Sequence, residues 1–207
     1  DKEEVMLMPG ENAAVDSMSG ELCIQGKFLT QKPFNSEALM VTMKKAWNPS
    51  KGLTCIAVGD NLFLFKFDSI MDKRKVFIGG PWAFDDNLFV IGDFVGNVQP
   101  SKVELNFCSF WIQVCNLPLG WMTVKTAEFI GNKLGIYEGL DSKREEFPWE
   151  KFMRIRVRLQ IDCPLKRLMK LFIDGNVQPV HFRYERLPLF CYFCGKIGHG
   201  DRDCEDK

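Results

Sequence analysis

The stretch CYFCGKIGHGDRDCEDK, residues 191–207, decides the fold of the C-terminal end of the chain. Its metal-binding residue types follow the spacing Cys-x2-Cys-x4-His-x4-Cys, which selects Cys191, Cys194, His199 and Cys204. Three thiolates and one imidazole suit a closed tetrahedral Zn²⁺ site with no open position for a substrate. Because so short a segment has almost no core, we expect one structural zinc ion to supply its folding energy. The alternative is chance spacing, with the cysteines as free thiols or in a disulfide.

The same segment resembles the retroviral-type zinc knuckle, a reader of single-stranded nucleic acid. The resemblance implies an apolar shelf for a base, formed by Tyr192 or Phe193 together with Ile197. We expect Lys196 and Arg202 to reach phosphates.

Glycines lie between the predicted ligands, where the backbone must fold around the ion and a Cβ would clash. They are Gly195, Gly198 and Gly200. The segment departs from the knuckle family just after the histidine, where Gly200 and Asp201 replace the usual aromatic residue or Met.

Length and composition indicate an intracellular protein with a real core. The chain has 207 residues, 46% of them hydrophobic, which is enough for one large or two small domains. Three of its eight cysteines belong to the predicted zinc site, and the other five are scattered without a disulfide framework. That usage indicates reduced thiols, in the nucleus or the cytoplasm. The apolar runs are too short to span a membrane, so we expect no membrane partner.

Charge is unevenly distributed along the chain. The formal net charge is zero, which argues against a uniformly basic nucleic-acid binder. Residues 150–199 nevertheless contain ten Lys or Arg and only four Asp or Glu. The basic region therefore lies beside the predicted knuckle, where a nucleic-acid site would need it.

Arginines alternate with apolar residues along a predicted strand over residues 152–161. Arg154, Arg156 and Arg158 share one face, and Arg183 on a following hairpin extends the row. Alternate residues of a strand lie about 7 Å apart, close to the phosphate spacing of an extended single strand. The row is therefore predicted to bind RNA or single-stranded DNA. The alternative is an ordinary amphipathic strand with a solvated charged face.

Residues 21–95 are predicted to form a first α+β domain, after a flexible arm over residues 1–20. The pattern predicts strands over 22–30, 53–58, 62–67 and 88–94, and helices over 37–47 and 69–77. This βαββαβ order is that of ferredoxin-like folds and of the RNA-recognition motif. Phe63, Phe65 and Phe67 share one strand face and Lys66 takes the other, so we expect the rings in the core.

A linker over residues 96–108 is predicted to lead into a second, smaller α+β unit over residues 109–187. Strands are expected over 110–117, 136–140, 152–161, 168–173 and 177–186, with a helix over 124–134. The zinc knuckle is expected to occupy residues 188–207, joined to the basic sheet with little slack.

Several short sequence segments along the chain together indicate a wider resemblance. They are GKFLT from residue 26, NLFLFKF from 61, GGPW from 79, FWIQV from 110, MRIRVR from 153 and YERLP from 184. With the terminal knuckle they resemble the plant family that pairs a domain of unknown function, number 4283, with a CCHC zinc knuckle. That module occurs in gag-like proteins of LINE-type retroelements and in host proteins derived from them. The resemblance implies a plant protein that coats or escorts RNA.

Two functions without catalysis fit these features. The first is nucleic-acid binding by the basic sheet face and the knuckle, and the second is a protein–protein interaction module domesticated from a retroelement. The arginine row favours the first, and zero net charge favours the second. The sequence has no glycine-rich phosphate loop, no His-Glu-x-x-His and no nucleophile beside a base, so we expect neither an enzyme nor a small-molecule substrate.

Overall fold

The computed structural model describes residues 20–94, 99, 102, 104–141 and 152–207. Within these ranges the chain forms two antiparallel five-stranded sheets and three α-helices, so the predicted α+β class is confirmed. The predicted flexible arm over residues 1–20 lies outside the described residues, apart from Gly20.

The first sheet follows the predicted βαββαβ order. Its elements are β1 (Cys23–Phe28), α1 (Ser36–Trp47), β2 (Leu53–Ala57), β3 (Leu62–Phe67), α2 (Ile70–Gly79), β4 (Trp82–Phe84) and β5 (Asn87–Asp93). The strands lie side by side in the order β2-β3-β1-β5-β4. The short strand β4 was not predicted from the sequence. It forms a hairpin with β5 through Asp85 and Asp86, whose φ angles of 47° and 58° suit a type I′ turn.

The core of the first sheet is rich in aromatic rings. Phe63, Phe65 and Phe67 are fully buried, as predicted. Trp47 from α1 packs edge-on against Phe65, with ring centroids 4.6 Å apart. Helix α1 begins at Ser36, one residue before the predicted start, because the Asn35 side chain accepts a hydrogen bond from the Ala38 backbone N–H at 3.0 Å. The aromatic face is therefore closed by helices and is not a surface for stacking bases.

The second sheet repeats the strand order of the first. Its elements are β6 (Phe107–Cys115), α3 (Val124–Leu134), β7 (Ile136–Leu140), β8 (Phe152–Gln160), β9 (Leu168–Ile173) and β10 (Asn176–Tyr184). The order β7-β8-β6-β10-β9 matches β2-β3-β1-β5-β4 strand for strand. Strand β6 begins at Phe107, so the predicted linker over residues 96–108 overlaps the sheet.

The second sheet lacks a counterpart of α2, because residues 161–167 form turns and coil. Its buried cluster is completed by other parts of the chain. Leu88 and Val90 of β5 point away from the first core and join this cluster. Phe190 and Ile197 of the knuckle join it too, with 9% and 8% of their surface exposed. The two sheets and the knuckle thus share one buried cluster, which fixes the position of the metal site.

Candidate metal centre and nucleic-acid interface

The four predicted zinc ligands are brought together. The ligand atoms of Cys191, Cys194, His199 and Cys204 all lie within 4.8 Å of one another. Cys194 Sγ and His199 Nε2 are 3.3 Å apart. Tetrahedral bonds of about 2.3 Å to sulfur and about 2.0 Å to nitrogen require a separation of roughly 3.5 Å. The donor set therefore fits one Zn²⁺ ion, as predicted.

The backbone turns that present the ligands depend on two of the three predicted glycines. Gly195 and Gly198 have φ angles of 79° and 102°, in a region that favours glycine. A Cβ on Gly195 would also lie 3.3 Å from the Pro164 side chain, whereas a Cβ on Gly198 would meet no atom within 4 Å, so the predicted clash is absent there and only the φ angle favours glycine. Gly200 has a φ of −94°, which any residue adopts, so the prediction was wrong for this glycine.

The pKa values of two ligand thiols, Cys204 and Cys194, are shifted in opposite directions. Desolvation, followed by hydrogen bonds with the Cys191 and Cys194 thiols, raises the pKa of Cys204 to about 11. Desolvation also opposes ionisation of Cys194, but hydrogen bonds, first from the Lys196 backbone N–H, hold its pKa below the ordinary value. Bound Zn²⁺ would displace the protons from all three sulfur atoms.

The knuckle is anchored to both sheets by its backbone and by Ile197. The Leu165 N–H donates to the Gly195 carbonyl at 2.7 Å, and the Leu189 N–H donates to the Asp86 carbonyl at 2.6 Å. Ile197 pairs with Phe190 in an isolated β-bridge and is buried in the second core. The prediction that Ile197 forms part of a base-binding shelf is therefore wrong, because the core already covers its side chain.

The other predicted shelf residues of the knuckle remain on the surface. Tyr192 and Phe193 expose 68% and 58% of their surface. Arg202 is exposed, and Lys196 forms an ion pair with Asp206 at 3.2 Å that is also open to solvent. Exposed pairs of this kind are weak, so the lysine can still exchange its partner for a phosphate.

The arginine row on β8 is partly neutralised by acids from neighbouring segments. Arg154 forms ion pairs of 2.8 Å with both Asp141 and Glu185, and its guanidinium lies 4.0 Å from the Trp111 ring centroid. The hydrogen bonds to Glu185 raise the pKa of Arg154. Only 22% of its side chain is exposed, so this arginine is held by protein partners rather than presented to phosphates.

Arg156 serves the contact between the two sheets. It pairs with Glu138 at 3.2 Å and donates to the carbonyls of Ile78 and Phe77 at 2.9 Å and 3.0 Å. Arg186 donates to the Gly79 carbonyl at 2.8 Å. These carbonyls end helix α2, which has no basic residue in its last turn. The two arginines therefore supply the positive charge and the donors that a helix C-terminus requires.

Arg158 and Arg183 differ from Arg154 and Arg156 in being exposed. Arg158 lies over the Phe107 ring at 5.5 Å, while Arg183 lies opposite Gln113 of β6. The knuckle does not extend this row directly, because Phe190 and Ile197 anchor it to the apolar side of β8. The predicted continuous track from the arginine row to Lys196 and Arg202 is thus interrupted.

A cleft between the first sheet and the knuckle was missed by sequence reasoning. It has a volume of about 610 Å³ and is lined by residues that include Lys27, Asn61, Asp162, Lys196 and His199. The residues that line the cleft come from segments far apart in sequence, so no local sequence pattern predicts it.

Comparison with known proteins agrees with this architecture. Residues 19–102 match the family model "Domain of unknown function (DUF4283)", and residues 159–206 match the model "Zinc knuckle". The chain is thus similar to a DUF4283 domain in its first half and to a zinc knuckle at its C-terminal end. The predicted resemblance is confirmed at this level. The zinc-knuckle match begins well before the first metal ligand and includes the whole β9–β10 hairpin.

A curated relative is an uncharacterized protein of Arabidopsis thaliana. It is 28% identical over 140 residues, which cover 65% of this chain and 42% of the relative. The chain thus spans less than half the length of that relative. In the described part of the chain, none of the helices is long and apolar enough to cross a membrane.

Proposed function

We infer that this protein binds RNA or single-stranded DNA and that the zinc knuckle presents the bases with a stacking surface. The observation that carries this is the exposure of Tyr192 and Phe193, at 68% and 58%, in the loop between two metal ligands. The metal ligands fix that loop, and the Phe190 ring packs edge-on against Tyr192 at 5.2 Å. Rigid exposed rings of this kind stack on bases without strong sequence preference.

Exposed cations supply the complementary charge in this proposal. Arg202 is exposed and Lys196 is partly exposed in the same metal-binding segment as the two rings, and Arg158 and Arg183 are exposed on the open face of the second sheet. Arg154 and Arg156 position the sheet and helix α2 and have no direct phosphate role. Each phosphate contact should contribute about 0.7 to the slope of log affinity against log salt.

The same proposal gives the protein a binding role rather than a catalytic one. One histidine, His199, belongs to the metal set, and the other, His181, is exposed on a strand. The resemblance to gag-like retroelement proteins supports a role in which the protein coats or escorts RNA in the plant nucleus or cytoplasm. That RNA belongs to a retroelement or to the host plant.

A second candidate function is a protein–protein interaction module. Acidic residues around the knuckle favour it, since they would repel a nucleic acid. They are Asp201, Asp203, Glu205 and Asp206, of which Asp203 pairs with Lys32 and Asp206 pairs with Lys196. Salt dependence separates the two candidates, because nucleic-acid binding weakens steeply with salt.

The test is a titration of fluorescein-labelled single-stranded RNA and DNA oligomers with the zinc-loaded chain at two salt concentrations. We expect binding that weakens with salt, and a loss of about tenfold in affinity for Tyr192→Leu and for Phe193→Leu. Tyr192→Phe is the matched control, because it keeps the ring and should bind within about twofold of the parent. Absent binding, or binding unaffected by salt and by both Leu variants, would overturn the nucleic-acid function in favour of a protein partner.

A further inference from the structure

The β9–β10 hairpin carries an open face that the knuckle does not use. Strand β10 pairs with β9 from Asn176 to His181 but with β6 only from His181 to Tyr184, so the hairpin tip projects beyond β6. One face of β9 is anchored in the core through Ile173, which is 8% exposed. On the other face Phe172 is 75% exposed and its cross-strand partner Val177 is 62% exposed. Phe172 and Val177 are therefore contiguous, and contiguous exposed apolar side chains indicate an interaction site more than isolated ones do.

Cations share this face with the ring. Lys170 lies two residues from Phe172 on β9, and His181 and Arg183 follow on β10 on the same side. All three are exposed. Within the described ranges, neither Lys170 nor Arg183 forms an ion pair, in contrast to Arg154 on the same face. The face thus presents, from the tip inward, a ring, a cation, an imidazole and a second cation.

We propose that this open face of the β9–β10 hairpin is a second binding surface for single-stranded nucleic acid. The Phe172 ring stacks on a base, and Lys170 and Arg183 contact phosphates. From Val177 to Arg183 the strand spans roughly 20 Å, which accommodates about three nucleotides at roughly 7 Å each. The proposal rests on the proposed nucleic-acid function but uses none of the exposed rings of the knuckle. The zinc-knuckle family match, which includes this hairpin, is consistent with one shared binding module.

Charge decides between a nucleic acid and a second copy of the chain. The hairpin is at a sheet edge, where an exposed apolar strand can also pair with another protein. Symmetric pairing of two such faces would bring Lys170 and Arg183 of one copy close to those of the other. Like charges oppose that contact, whereas a polyanion complements both cations and offers flat bases to the ring.

The experiment measures binding of a fluorescein-labelled U12 RNA and a dT12 DNA to the zinc-loaded full chain by fluorescence anisotropy. Phe172→Leu keeps an apolar side chain without the ring and should weaken binding about tenfold, whereas Phe172→Tyr should bind within about twofold of the parent. Lys170→Gln should flatten the salt slope by about 0.7. Phe129→Leu is the matched control, since Phe129 is 53% exposed on α3 with Lys133 over its ring at 5.8 Å.

The outcomes separate this proposal from the one on which it rests. Salt-dependent binding by the parent with no loss in Phe172→Leu overturns the hairpin surface and leaves the nucleic-acid function standing. Absence of binding by the parent chain overturns both. Equal losses in Phe172→Leu and Phe129→Leu also overturn it, since the effect is then not specific to this face. A monomer–dimer equilibrium that Phe172→Leu abolishes, with oligomer binding unchanged, would assign the face to a second copy instead.

Discussion

The two sheets share one strand order, yet they are completed in different ways. The first is closed by α1 and α2 over a core of aromatic rings that belong to residues 24–89. Among the described residues the second sheet is covered by one α-helix, α3, and its cluster takes Leu88 and Val90 from the first sheet and Phe190 and Ile197 from the knuckle. The same topology thus yields one self-contained half and one half that depends on its neighbours. The missing helix leaves the apolar surface on which the metal-binding segment packs.

Removal of zinc should have the largest effect, and it should be confined to the second half. Structural zinc contributes about 10–16 kcal/mol of apparent binding free energy in small fingers, so its loss should release the knuckle and expose the cluster around Ile197. We expect Cys194→Ser to lose stoichiometric zinc and to lose hydrogen-exchange protection in β8 and β10 while β1 and β3 stay protected. Cys163→Ser, at an exposed cysteine outside the ligand set, is the control. Unfolding of both sheets in one transition after zinc removal would contradict the conclusion that the first sheet is self-contained.

Shortening the Leu88 side chain should have the next largest effect on stability. The side chain belongs to a strand of the first sheet but is fully buried in the cluster of the second. Leu88→Ala should cost about 3 kcal/mol through lost burial and a cavity, measured by urea unfolding. Ile56→Ala, at a residue 51% exposed on the opposite edge strand, should cost under about 0.5 kcal/mol. Similar values for the two variants would mean that the sheets do not share a core.

Loss of the Arg156 side chain should have a smaller effect on the same contact. Its guanidinium joins Glu138 to two carbonyls at the end of α2, and only 12% of the side chain is exposed. Arg156→Ala should therefore cost about 2 kcal/mol, measured by thermal or urea unfolding. Arg158→Ala, two residues along the same face but exposed, should be nearly neutral in stability. A larger loss of stability in Arg158→Ala than in Arg156→Ala would show that Arg156 does not have this structural role.

The smallest effect concerns acid sensitivity of the first sheet. Hydrogen bonds, first from the Ser50 backbone N–H and also from Lys51 N–H and Ser50 Oγ, hold the pKa of Asp72 below its ordinary value. Because the folded pKa is the lower one, this carboxylate stabilises the fold above the unfolded-state pKa, and the contribution is lost as pH falls through the folded pKa. Asp72→Asn should therefore narrow the difference in melting temperature between pH 7 and pH 3. Asp60→Asn, in an exposed turn, should leave that difference unchanged.

Local patterns in the sequence determined the metal set and most of the elements. Ligand spacing alone selected the four residues that the fold brings together, because knuckle ligands lie within one short segment. Alternation placed Phe63, Phe65 and Phe67 in the core, and the helix predicted over residues 124–134 is found as α3, Val124–Leu134. These patterns involve residues only a few positions apart, so they can be interpreted without knowledge of the tertiary fold.

Tertiary structure alone decided what the arginines and Ile197 do. The acids that pair with Arg154 and Arg156 come from β7 and from the segments that follow β7 and β10, so the alternating pattern of β8 contained no sign of them. The carbonyls at the end of α2 lie almost eighty residues before Arg156 in the chain. Ile197 was assigned to a base-binding shelf by analogy, yet the second sheet lacks a helix and takes this side chain into its core. Burial and ion pairing depend on which distant segments come into contact, and local sequence periodicity carries no information about those contacts.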